Sequence, residues 1–187
     1  MKRMLMTSIA VAGLVFSLVM AGSTRAQDLT ANDSSDLPEK VWKRGLAIAP
    51  VALNLTGKDK KTVGEGSYIV NTNCVGCHTN PEFAAGGNPF FGQPEQTNTT
   101  NYLAGGAQFG PFVSANITPN AQGLPAGLTL AQFTEVMRTG KDFKNRHPQF
   151  GPLLQVMPWP AFAKYTDDDI EAIYEYLRAV PHAEAAQ

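Results

Sequence analysis

Apolar positions recur at helical spacing at three points in the chain. In Thr129 to Gly140 the apolar residues Leu130, Phe133 and Met137 stand three and four apart. Thr129 and Gln132 have the spacing of a capping box ahead of them, and Gly140 is a terminator behind. Met137 falls on the apolar stripe, so the pattern predicts it in the core. Ile170, Ile173, Tyr174 and Leu177 repeat the spacing near the end of the chain, opened by Thr166 as a cap and by Asp167, Asp168 and Asp169 as anions at the positive helix end. Gly64 to Asn73 reads as a third helix. Val41 to Asn54 is apolar but interrupted by Pro50, and the polar run before it, Asp28 to Asp36, reads as a flexible tail. Thr79 to Leu128 shows no strong helical or strand period: it holds eight Gly, six Pro and only two charges, Glu82 and Glu95. The expectation is an all-α domain with one long Gly/Pro-rich loop.

The first residues carry a different pattern. Lys2 and Arg3 precede an uncharged run from Ile9 to Met20, and small residues follow at Ala21, Gly22 and Ser23. This is the arrangement of a secretory signal, with cleavage after Ala26 or, alternatively, after Ser23. The apolar run falls short of the ~20 residues of a membrane span, so membrane association is expected only if the signal stays uncleaved. The expected organisation is a signal at 1–26, an N-terminal extension at 27–62, a main domain at 63–182 and a tail at 183–187. A chain of 187 residues suits one such domain. Past Ala26 there remain 12 basic residues against 16 acidic ones, a mildly acidic balance that argues against neutralising nucleic-acid phosphates. The reading places the protein in a bacterial periplasm.

Export would make a disulfide the default for a cysteine pair. The two cysteines present, Cys74 and Cys77, are separated by only two residues and would close too small a loop to stabilise a fold much. His78 follows them, giving the run Cys74-Val75-Gly76-Cys77-His78. Cys-x-x-Cys-His is the pattern of covalent haem attachment: two thiols on one side of a helical turn can add to the two vinyl groups of one porphyrin, and the next imidazole is held under the iron. A thioredoxin-type redox pair would need a preceding strand, where this sequence reads helical. A zinc site would need further ligands, and His147 and His182 lie far off in sequence. One covalently bound haem c is the cofactor expected.

These residues resemble the monohaem class I cytochromes c. Gly66 stands eight residues before Cys74 and Val70 four before it, and Ile173 with Tyr176 matches the apolar and aromatic pair on that family's last helix. The likeness covers Gly66 to Pro181. It implies cytochrome c-like helices around one haem, with the first and last helices crossing closely at the Gly. It also implies a distal ligand on a rigid loop before the last helix, where Met157 lies in Leu153 to Pro160 between prolines. Of the six methionines, four precede Ala26, which leaves Met137 and Met157. Met157 is the expected ligand, with His147 or an open sixth site as alternatives. Pro89, followed by Gly92, resembles the family's proline whose carbonyl accepts the proximal imidazole N–H. Phe83, Phe90, Phe91, Tyr102, Phe109 and Phe112 would wrap one haem edge or fill a satellite core.

The runs Asn116 to Asn120 and Met137 to Gly140 are similar to those of cytochromes that take electrons from periplasmic dehydrogenases for alcohols, aldehydes or sugar acids. Arg138 would then meet a haem propionate or complement the end of its own helix. Such proteins often carry three haems, and this chain has one Cys-x-x-Cys-His. Ile48 to Lys58 resembles the leader of a bacterial subgroup and is expected to pack on the domain. The functional expectation is a one-electron carrier and not an enzyme, passing electrons from a periplasmic dehydrogenase to an oxidase or respiratory-chain acceptor. A subunit bound in a dehydrogenase complex, or a haem enzyme or sensor with an exchangeable sixth ligand, is the alternative.

Overall fold

The computed structural model describes residues 32–184. The expected signal at 1–26 lies outside the described residues. Six helices and one short hairpin follow one another: α1 (Asn32–Ile48), α2 (Lys60–Asn73), α3 (Val75–His78), β1 (Gln108–Phe109), β2 (Phe112–Val113), α4 (Leu130–Thr139), α5 (Trp159–Phe162) and α6 (Asp167–Ala179). The two-residue strands pair antiparallel, Gln108 opposite Val113 and Phe109 opposite Phe112. The architecture is the expected all-α one, with the hairpin as an excursion of the long loop.

Local chemistry sets the helix ends. Asp59 caps α2 by accepting the Thr62 amide at 2.8 Å, which holds its carboxyl below the usual range. The capping box read from the sequence is formed, Thr129 with Gln132 on α4, and the Thr166 cap on α6 is completed into a second box by Asp169. Their apolar stripes face one core, in which Val63, Val70, Ile173, Tyr176 and Leu177 are all buried. α2 and α6 cross in contact at Gly66, where a Cβ would overlap the Ala172 carbonyl. Only a residue without a side chain allows that approach.

The sequence reading of a flexible tail over Asp28 to Asp36 is corrected from Asn32 onward, where the backbone is helical in α1, and its first residues lie outside the described ones. The physical reason is tertiary. A Cβ on Gly45 would overlap the Gly64 carbonyl, so α1 and α2 touch backbone to backbone, and the Gly45 carbonyl accepts the Ser67 hydroxyl at 2.7 Å. Packing of this kind sustains a helix that composition alone would not. After α1 ends ahead of Pro50, Leu53 and Leu55 pack against the core, and the Asn54 amide bonds the Ala179 carbonyl at 2.8 Å.

Beneath Ser67 lies a fully satisfied polar cluster. The Tyr102 hydroxyl donates to Asn71 Oδ1 at 2.7 Å and accepts from the Tyr176 hydroxyl at 2.7 Å. Asn71 Nδ2 donates to Tyr176 Oη at 3.2 Å and to the Ser67 carbonyl at 2.9 Å. Among the described residues no buried side-chain nitrogen or oxygen lacks a partner. Burial, with the neighbouring Tyr176 adding to it, pushes the Tyr102 hydroxyl far above its usual pKa, so the cluster is neutral. It ties the long loop to α2 and α6 one turn before Cys74.

Candidate functional site

α2 ends at Asn73, and the chain tightens at once into α3. The Cys74 carbonyl accepts the amides of Cys77 at 3.2 Å and His78 at 2.9 Å, which brings both cysteines and the histidine onto one turn. Both thiols are free. Burial, reinforced by Cys77, pushes the Cys74 thiol up to about 12.

His78 is oriented by one hydrogen bond, Nδ1 to the Ala115 carbonyl at 2.8 Å. A carbonyl only accepts, so Nδ1 carries the proton and Nε2 keeps its lone pair for a metal. Burial lowers the imidazole pKa against the opposing pull of that bond, which keeps the ring neutral. The expectation for Pro89 is therefore corrected. Its carbonyl accepts the Gly92 amide at 3.0 Å within the 3-10 turn Pro89–Phe91, and the partner of His78 is Ala115. No side-chain signature could have marked Ala115, because the acceptor is a backbone oxygen. The adjacent Asn116 did mark an ordered turn, its Oδ1 accepting the Thr118 amide at 2.8 Å.

Cys74, Cys77, His78 and Met157 line one cavity of about 230 Å³. Its walls are mostly apolar, with Ile117, Leu128, Phe133, Ile173 and Leu177 among them, and Met137 lines it as a buried core residue. Met157 reaches it from a loop fastened to the end of α4, where the Leu154 amide bonds the Gly140 carbonyl at 2.7 Å and the Asp142 amide bonds that of Pro152 at 2.8 Å. The Trp159 indole lies against Gly140 behind it. His147 also lines the cavity, edge-on to the Phe112 ring with centroids 4.9 Å apart.

The expected aromatic wrap is divided. Phe109 and Phe112 line the cavity, Tyr102 belongs to the polar cluster, and Phe90 and Phe91 stand 85% and 78% exposed away from it. Arg138 is corrected as well. Its guanidinium donates to the Ala163 carbonyl at 2.7 Å and to the Tyr165 carbonyl, and pairs with Asp167 at 2.6 Å, so it fastens α4 to the start of α6 and does not line the cavity. The cations that do line it are Lys141, Lys144 and Arg146, on the loop after α4, which sequence reasoning missed. Among the described residues no group of three or more His, Cys, Asp and Glu is arranged to hold a metal ion on those side chains alone. No described helix is long and apolar enough to cross a membrane.

The cytochrome c family model matches residues 63–181. The cytochrome c subunit of the quinone-type alcohol dehydrogenase of Gluconobacter oxydans (strain 621H) is 30% identical over 144 residues, which are 73% of this chain and 26% of that protein. The subunit of the same description from Komagataeibacter europaeus is 31% identical over 122 residues, 64% of this chain and 22% of its own. The fructose dehydrogenase cytochrome subunit of Gluconobacter japonicus is 28% identical over 123 residues, 63% and 21%. The chain thus spans about a quarter of the length of the curated relatives it matches. No solved structure matches it significantly.

Proposed function

We propose, from the premise that this chain belongs to the cytochrome c family, that it is the cytochrome component of a periplasmic, substrate-oxidising dehydrogenase, bound to that enzyme as a subunit. Membership brings a covalently bound haem c and an electron-transfer role. The residues present fit that group: two free thiols and an imidazole with its Nε2 lone pair available share one mostly apolar cavity with a thioether. That convergence is the observation that carries the reading.

On it, Cys74 and Cys77 would hold the haem through thioether bonds, and His78 and Met157 would ligate its iron. Haem c supplies a one-electron couple. His78 is held in one tautomer by Ala115, which fixes its ring and strengthens it as a donor. A thioether as the second ligand would favour the reduced state and raise the potential relative to two imidazoles. The apolar walls keep water from the centre. The chain moves electrons and transforms no substrate itself. The dehydrogenase partner is supported by the relatives, each a cytochrome subunit of a dehydrogenase.

Two measurements test this. Met157→Ala should abolish the ferric methionine-to-iron charge-transfer band while leaving covalent haem in place; rapid carbon monoxide binding by the reduced wild type would overturn six-coordination. Affinity purification of the holoprotein from its native membranes and periplasm should bring a substrate-oxidising dehydrogenase in fixed proportion. Recovery as a free monomer that a dehydrogenase reduces only in passing would favour the soluble shuttle instead.

A further inference from the structure

Haem carries two carboxylates, and burying them without cations is costly. They project from the porphyrin edge opposite the vinyl groups, so a haem tethered at Cys74 and Cys77 needs its positive charge from another wall. The side chain expected to supply it, Arg138, is committed elsewhere: two backbone carbonyls and Asp167 occupy its guanidinium. The lysine and arginine side chains that line the cavity, Lys141, Lys144 and Arg146, all come from the single loop that follows α4.

Their surroundings differ. Lys141 Nζ is paired with Glu135 at 2.9 Å. Lys144 and Arg146 have no carboxylate within ion-pair distance among the described residues. The acid just before them in sequence, Asp142, is the one carboxylate on the cavity wall, and its two oxygens accept the Lys144 amide at 3.0 Å and the Arg146 amide at 3.2 Å. Asp142 therefore shapes the turn that holds the two cations together, and its charge acts on Lys144 without closing to an ion pair. The cost of that proximity is visible: partial burial first, and Arg146 second, lower the pKa of Lys144 against the opposing pull of Asp142. Two like charges held side by side on a cavity wall are stable when an anion lies between them.

We propose that Lys144 and Arg146 are the residues that bind the haem propionates, and that Asp142 is the positioning residue that folds the loop to present them. This rests on haem c in the cavity and not on which partner the protein serves. Bound this way, the pair offsets the propionate charge and favours the ferrous haem.

The holoproteins Lys144→Gln, Arg146→Gln and the double variant would be compared with Lys61→Gln, an equal charge change on the exposed first turn of α2. The pyridine haemochrome spectrum first establishes covalent haem in each. The expected result is a lower midpoint potential in both single variants and lowest in the double, so that the ferric-to-ferrous ratio at the wild-type midpoint rises several-fold. The propionate bending band in the resonance Raman spectrum should shift with it. Lys61→Gln should change neither. An unchanged band in the double variant, or an equal fall in potential in Lys61→Gln, would overturn the assignment. If the Gln variants fail to accumulate holoprotein, the charge-retaining Lys144→Arg and Arg146→Lys should restore it, and failure of those to do so would count against the proposal.

Discussion

Removing one hydroxyl from the Tyr102, Asn71 and Tyr176 cluster should cost more than a hydrogen bond, by an amount the geometry sets. Tyr176→Phe deletes one acceptor of the Asn71 amide and the donor to the Tyr102 oxygen, while Asn71 Nδ2 still reaches the Ser67 carbonyl at 2.9 Å and the Ser67 hydroxyl oxygen at 3.1 Å. Each net hydrogen bond is worth about 0.5–1.5 kcal/mol, and two are lost with no buried donor orphaned, which puts the loss at about 1–3 kcal/mol. Tyr102→Phe leaves both the Tyr176 hydroxyl hydrogen and Asn71 Oδ1 without a partner, since the two 2.7 Å bonds share the Tyr102 oxygen. Its loss should be larger, about 3–4 kcal/mol. In the double variant the Tyr176 hydroxyl is gone and cannot be orphaned, so the single losses should overshoot the double one by about 1–2 kcal/mol. Denaturant unfolding of the four holoproteins, followed by far-ultraviolet circular dichroism, measures this. Losses that add to within ~0.5 kcal/mol would show that the hydroxyls act independently and refute the wiring. The ferric spectrum should stay that of the wild type in all four, since none of these side chains lines the cavity.

Other outcomes follow from single contacts. Arg138→Gln takes the donor from the Ala163 and Tyr165 carbonyls and should lower stability by about 1–3 kcal/mol while leaving the midpoint potential in place, a separation that unfolding and redox titration together would read. Asn116→Ala removes the 2.8 Å bond to the Thr118 amide and the 2.7 Å bond to the Ala183 carbonyl, so the loop that holds the Ala115 carbonyl should loosen, with a stability loss of about 1–3 kcal/mol and a broadened low-spin signal in electron paramagnetic resonance. The pKa of His182 is raised by its bond to the Pro119 carbonyl and then by Glu184, so its contribution is complete below the unfolded value and fades as pH rises through the folded one. The thermal midpoint of the wild type should exceed that of His182→Gln near about pH 5, and the gap should close by about pH 9.

What could be read from the residues was what side chains write locally. The caps at Thr129 and Thr166 needed only a hydroxyl at the helix start, and both residues cap their helices. The turn at Cys74 to His78 was legible because its chemistry is carried by three side chains within five residues. The partner of His78 was not: a carbonyl 37 residues away is a property of loop closure, and every residue has one. Arg138 shows the converse. Its charge and helix position fitted a propionate equally well, and the competing attraction, two carbonyls exposed where α5 gives way to α6, exists only after folding. α1 was missed from Asn32 to Asp36 because the backbone contact of Gly45 with Gly64 that holds the helix against α2 is invisible to a count of polar residues.

The Ala183 carbonyl accepts the Asn116 amide at 2.7 Å, and its own amide bonds the Thr118 hydroxyl at 3.1 Å. The last described residues are thus fastened to the strip of chain that aims the His78 imidazole. For protein engineering this makes the two sides of Ala183 unequal. A reporter or a second redox domain fused directly after Glu184 would begin from a fixed point and keep a defined orientation to the haem. A truncation a few residues earlier would release the Asn116 clasp and slacken His78 from the far end of the sequence, without touching the turn that carries it.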